Sequence, residues 1–275
     1  MTQTPAVRVR DLNSHPARPD GKFVVYWMTA YRRLSSNFAL QRAAELARVY
    51  HKPLLIVEAL RLDYPWASRR LHAFVLQGMR DNRDHALRYS HCYVPFVETT
   101  AGQGSGMMEW LASQAAGIVT DDFPCFFLPR MINAVARRID VKLEAVDSNG
   151  LFPMHVADME FLTAYAFRRY LQKNLSVYLP VMPDSEPLAN PEIPRLTVPP
   201  AEMTARWPSA DLSLLNCEPR ALDRLPIDQC VKEAAMTGGP NAARRQLDSF
   251  LETRLCRYSE DRNQPDEDVS EVQVR

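Results

Sequence analysis

The first 150 residues alternate short apolar runs with amphipathic stretches, the pattern of βαβ units that bury a parallel sheet between helices. Residues 23–28 (FVVYWM) are apolar throughout and predict a strand covered on both faces. Ser35, Ser36 or Asn37 can cap a helix running to about Tyr50, with Phe38, Leu40, Ala43, Ala44, Leu46 and Ala47 on one broad apolar face. Residues 54–59 (LLIVEA) predict a second strand, Pro65 opens a helix across Trp66 to about Tyr89, and residues 94–97 predict a third strand. A helix over 107–116, a strand over 117–120, a helix over 128–138 and a strand over 142–146 complete the series. The expected fold is α/β: a doubly wound, five-stranded parallel sheet ending near Asn149, with any ligand held beyond the carboxyl ends of the strands.

Past Asn149 the pattern changes. One further helix is predicted over 163–174, but ten of the chain's 21 prolines fall between Pro180 and Pro226. Proline pins φ and removes a backbone donor, so an extended connector is expected there and no second core. From Asn241 to Asp261, Leu247, Phe250, Leu251, Leu255 and Tyr258 recur at helical spacing and form an apolar stripe that needs a partner. Residues 265–275 are polar and acidic and are expected to fray. The predicted organisation is therefore an α/β domain over 1–150, a connector over 151–237 and the start of a helical domain over 238–275.

Composition narrows the function classes. With 46% hydrophobic and 24% charged residues the chain is an ordinary folded protein. Lys plus Arg and Asp plus Glu both total 33, so no global field draws it to nucleic acid or membrane, and a DNA contact would need a local patch. The first residues lack the pattern of a signal peptide and no segment approaches eighteen apolar residues in a row, which predicts a cytoplasmic protein with no membrane partner. The five cysteines are scattered and never form C-x-x-C, so neither a disulfide framework nor a zinc site is expected.

The candidate chemistry is sparse. Gly102-Gln103-Gly104-Ser105-Gly106 follows the third strand, where it is either a flexible loop or a weak phosphate cradle; it matches neither dinucleotide nor P-loop patterns. Ser105 fails the nucleophile-elbow spacing, and the six histidines never form a metal-binding pair. Asp121, Asp122 and Asp147 fall just past strand ends, where carboxylates either meet a ligand or cap the next element. Trp27 and Met28 end the first strand and offer stacking surfaces or core packing, while Trp66 is expected in the core. Arg168-Arg169 and Arg244-Arg245 are basic pairs expected on solvated helix faces.

Several segments carry more specific information. VVYWMTAYRRLSSNFALQRAAELA (24–47) resembles the opening of class II members of the DNA photolyase/cryptochrome family. VTDDFP (119–124), EAVDSNGLFP (144–153) and TAYAFRRYLQK (163–173) are similar to that family's fourth strand end, fifth strand end and interdomain connection. GGPNAARRQLDSFLETRLCRYSEDRNQP (238–265) is similar to the helix that opens its flavin domain. The resemblance implies a two-domain enzyme in which photoexcited FAD passes an electron to a cyclobutane pyrimidine dimer flipped out of damaged DNA. It also implies that the α/β unit is an antenna domain for a deazaflavin or folate chromophore. By that resemblance Trp27, Met28 and Thr29 are candidates for the antenna pocket, Tyr258 matches a position at the edge of the flavin site, and Arg262 and Asn263 match its neighbours; Asp121 is a further cofactor-binding candidate from its place past a strand end.

After the R-N-x-P run the likeness stops, and the segment that cradles the flavin phosphates in the family has no counterpart. The expectation is a chain that lacks the flavin-binding catalytic domain and is inactive by itself. Two alternatives stay open: a stand-alone module binding an antenna pigment or nucleotide, and a partner subunit that docks its 241–261 stripe onto a separate flavin domain or a second copy of itself.

Overall fold

A computed structural model describes residues 3–263; the stretch 265–275 lies outside the described residues. Six strands, β1 (Val9–Asp11), β2 (Phe23–Met28), β3 (Leu54–Leu60), β4 (Cys92–Val97), β5 (Ala115–Asp121) and β6 (Leu143–Val146), form one sheet in the order β1-β6-β5-β2-β3-β4. Four long helices alternate with them: α1 (Phe38–Val49), α2 (Arg69–Arg88), α3 (Met107–Gln114) and α4 (Leu128–Ala136). Every pairing is parallel except β1 against β6. The doubly wound α/β class is as expected, with one strand more than the five predicted. Val-Arg-Asp is too short and too polar to announce a strand; it is recruited by tertiary anchoring. Arg8, 1% exposed, donates to the carbonyls of Asp147, Gly150 and Leu151 and lies 4.5 Å over the Phe38 ring.

The central strand explains the layering. Successive side chains of a strand point to opposite faces, so Phe23, Val25 and Trp27 join one core with α3 and α4, while Val24, Tyr26 and Met28 join the other with α1. Asn37 caps α1 by accepting from the amides of Ala39 and Leu40. α2 begins at Arg69 under a Ser68 cap, later than predicted. Trp66 sits at φ 69°, which ends any helical path through it, and its ring is 76% exposed instead of buried in the core. Pro95 is tolerated in β4 because that strand is a sheet edge, and the outward carbonyl of Pro95 accepts from the amide of Ala210.

The stretch after β6 is not the extended linker that its prolines suggested. It holds α5 (Ala164–Tyr178), α6 (Ala201–Arg206), α7 (Leu212–Leu215), α8 (Pro219–Leu222), α9 (Pro240–Thr253) and α10 (Tyr258–Asp261). Met203 and Trp207 join the first core, and Leu188 and Ile193 the second. Leu214, Leu215, Leu222 and Leu225 close a third around Leu60, Leu76, Met79 and Val97. Proline blocks long helices but suits the first turn of short ones, so past α5 the connector folds as the short helices α6, α7 and α8, whose leucines and Met203 dock on the sheet domain. Among the described residues no helix is long and apolar enough to cross a membrane. The five cysteines are free.

Candidate functional site

The strand order reverses between β2 and β5, so the crevice open to a ligand lies beyond Met28 and Asp121. Asp121 organises it. One carboxylate oxygen accepts from three consecutive amides, those of Thr29 (2.8 Å), Ala30 (2.7 Å) and Tyr31 (3.1 Å). The other accepts from the Tyr26 hydroxyl at 2.7 Å, which in turn accepts from Asn37 Nδ2 at 2.9 Å. Burial pushes the Asp121 carboxyl up, against the pull of its hydrogen bonds, and raises Tyr26 well above its usual range with the help of neighbouring Asp121.

Asp122 accepts from Arg10 at 3.1 and 3.2 Å and lies 2.8 Å from His155 Nε2. Burial would raise it, but these two partners together hold it below the usual carboxylate range. Asp147 accepts from the amides of Asn149 (2.7 Å) and Met154 (2.6 Å) and is raised by burial. The acids predicted past the strand ends are thus all there, and each is engaged by the protein itself.

The structure brings Thr29 and Asp121 together and separates the others. Trp27 is buried on the α3 and α4 side; Met28 points to the opposite face, with Asn82 Nδ2 3.8 Å from its sulfur. Tyr258 stands apart on α10, its ring edge-on to Phe250 at 5.6 Å and 39% exposed. The sequence pattern did not single out Glu58, a further buried acid, which pairs with Arg32 at 2.8 Å and accepts from Asn82 at 2.9 Å. A lone carboxylate inside the apolar run LLIVEA was the available signal. It also missed a roof of rings: Tyr64 stacks on His72 at 5.7 Å and meets Phe127 at 6.4 Å, while Tyr31 meets Phe123 at 6.1 Å. Beside that roof Trp66 and Phe126 are 76% and 74% exposed, both in left-handed backbone at φ 69° and 61°. Such conformations are strained for bulky residues and concentrate at functional loops.

A ring cofactor needs a concave seat of roughly 300–1,000 Å³. Two concavities of about 170 and 340 Å³ lie elsewhere, one bordered by Phe23, Trp110 and Ala201, the other by Thr4, Arg42 and Lys142. Tyr258, 39% exposed, borders neither of them.

No family model matches the chain. It is 30% identical over 271 residues to a deoxyribodipyrimidine photo-lyase of Oryza sativa, covering 94% of this chain and 50% of that protein. It is 27% identical over 261 residues to the protein of that name from Methanothermobacter thermautotrophicus, covering 94% and 54%, and 28% identical over 247 residues to one from Arabidopsis thaliana, covering 88% and 47%. The chain spans about half the length of the curated relatives it matches.

Proposed function

Starting from the membership of this chain in the photolyase family, we propose that it is the α/β half of a light-dependent repair system for cyclobutane pyrimidine dimers in DNA. The observation that carries this reading is a match running through nearly the whole chain to proteins named for that activity. In this reading residues 1–150 are the antenna-domain scaffold, 151–237 the connector and 238–263 the first turns of the flavin-facing domain. FAD supplies the electron that splits the dimer in this family, and Tyr258 is the candidate among the described residues to border it, so no catalytic step is assigned to them. The described residues provide a rigid platform and the exposed stripe Leu247, Leu251, Leu255 and Tyr258, which suits docking of a helical partner.

The test is to illuminate the purified 275-residue chain with blue light, with thymine-dimer DNA and added FAD. It should give no repair. Fused to the part of the rice relative that it does not match, it should give light-dependent repair. Turnover by the chain alone, or none by a folded fusion, would overturn the reading.

A second reading, an antenna pigment held beyond the strand ends, is favoured by the exposed left-handed Trp66 and Phe126 beside the crevice. Absorbance in the near ultraviolet or blue that co-purifies with the protein, and is lost in Trp66→Ala, is the expected result; a colourless protein that binds no added deazaflavin or folate would count against it.

A further inference from the structure

The carboxyl ends of parallel strands are where α/β proteins hold phosphates, because backbone amides converge there. In this chain those amides point inward, at carboxylates of the chain itself. The amides of Thr29, Ala30 and Tyr31, three in succession after β2, all reach Asp121 Oδ2 within 3.1 Å. Such a run of convergent N–H groups is an anion nest, and here the anion is a side chain.

The same arrangement recurs independently on the far side of β2. Glu98, at the end of β4 and 3% exposed, accepts from the amide of Leu62 after β3 (3.1 Å) and from the amide of Gly104 (3.0 Å). Gly104 lies in the glycine-rich loop that resembled a phosphate cradle. After β6, Asp147 takes the amides of Asn149 and Met154. Three resident carboxylates thus absorb donors from the loops that follow β2, β3, β4 and β6. Every contact of Asp121 is with a donor, which matches an acceptor-only carboxylate.

We propose that Asp121, seconded by Glu98, is a specificity-determining residue that closes the carboxyl end of this sheet to phosphate. An incoming phosphate would meet donors already satisfied and a buried negative charge beside them, so mononucleotides and dinucleotides are excluded from the crevice. The ligand class left is an uncharged or phosphate-free ring system. This deepens the pigment reading and rests on it only for what enters the crevice; the exclusion of phosphate stands or falls separately.

The test uses the full chain and thermal unfolding in phosphate, formate or chloride at equal ionic strength. In the unaltered protein, phosphate and formate should raise Tm no more than chloride does. Asp121→Ala should unfold at lower temperature and recover roughly 3 °C or more in formate or phosphate, as an anion enters the vacated nest and stabilises by mass action. The surface variant Asp63→Ala, which removes an exposed partner of Arg61, should show no anion-specific recovery. Should Asp121→Ala not fold, Glu98→Ala makes the same prediction at the edge of the sheet. Phosphate-specific stabilisation of the unaltered protein, or folded Asp121→Ala or Glu98→Ala with no more recovery than Asp63→Ala, would overturn the proposal. None of these readouts requires a pigment, so a protein that obeys them yet is colourless and binds no added deazaflavin or folate refutes the pigment reading alone.

Discussion

Two residues show how single side chains fix the crevice and its approach. Asn37 is wholly buried, caps α1 through Oδ1, and through Nδ2 donates to the Tyr26 hydroxyl and to the carbonyls of Tyr31 (3.1 Å) and Arg33 (3.0 Å). Removing a cap costs about 1 kcal/mol, and leaving buried acceptors without donors adds roughly 1–3 kcal/mol. Asn37→Ala should therefore lower urea-unfolding stability by about 2–4 kcal/mol, whereas Asn37→Asp, which keeps the cap but loses the donors, should recover only part of that. His91 is 2% exposed beneath the connector, its Nε2 2.9 Å from Arg195 Nη1. Burial, reinforced by that guanidinium, lowers its pKa to about 4. The unfolded chain binds the proton near pH 6.5, so between pH 6.5 and 4 the unfolded state carries more protons and stability falls with falling pH. From pH 7 to pH 5 the loss assigned to His91 is about 2 kcal/mol. Denaturation midpoints at both pH values should show it in the unaltered protein and not in His91→Gln; equal pH dependence in the two would refute the assignment.

At the scale of elements, what the chain announced and what it concealed divide along one line. The buried strands were legible because both faces of FVVYWM and LLIVEA are apolar, and α1 was legible from Asn37 and its periodic alanines. What could not be seen were elements held by distant partners. β1 exists through Arg8 and β6, and Trp66 breaks a helix that Pro65 seemed to start. The single-turn helices of the connector carry too few residues for a period to show. At the crevice, the acids after the strands were predicted by position, while their occupation by amides of other loops is a tertiary fact. The connector provides the sharpest test of this view. Trp207 is 1% exposed, donates from Nε1 to the carbonyl of Gln103 at 3.1 Å and packs 6.1 Å from Trp110. If the connector is part of the core, Trp207→Ala costs about 3–5 kcal/mol in chemical denaturation; a change below 1 kcal/mol would restore the linker view. The seat of α9 on α2 depends on glycine as well. A Cβ on Gly238 would lie 2.0 Å from the Phe74 carbonyl oxygen, and Gly239 adopts φ 99° with its own Cβ position 3.1 Å from the Cα of Gly78. Gly238→Ala should lift α9 off α2 and speed amide exchange from Pro240 to Thr253 while exchange in β2 and β5 stays slow.

On the scale of the whole molecule, the three cores and the surface lead to different conclusions. The sheet and its wrapped connector satisfy themselves: Arg69, 8% exposed, binds Glu233 at 2.7 Å and pairs with Asp223, fastening the connector to the start of α2. α9 does not. Of the apolar stripe on α9 and the turn that follows it only Phe250 is buried, while Leu247 and Leu251 on α9 and Leu255 just past it are 39%, 50% and 50% exposed. Apolar residues contiguous along a helix and open to water mark an interaction surface. Arg244 and Arg245 share α9 with Asp248 and Glu252, so two copies of this helix can approach without net repulsion. If the stripe is the docking face for a helical partner, the chain purified by itself should use it for the nearest substitute, a second copy. Sedimentation velocity should then show association that grows with concentration through the high micromolar range. Leu251→Glu combined with Leu255→Glu should abolish it and leave the circular dichroism and the thermal midpoint of the sheet domain unchanged, because neither side chain is buried in it. A monomer at all concentrations would take away self-docking and leave the stripe to a different chain. Association that survives both substitutions would move the interface elsewhere, to the exposed rings around Trp66 and Phe126.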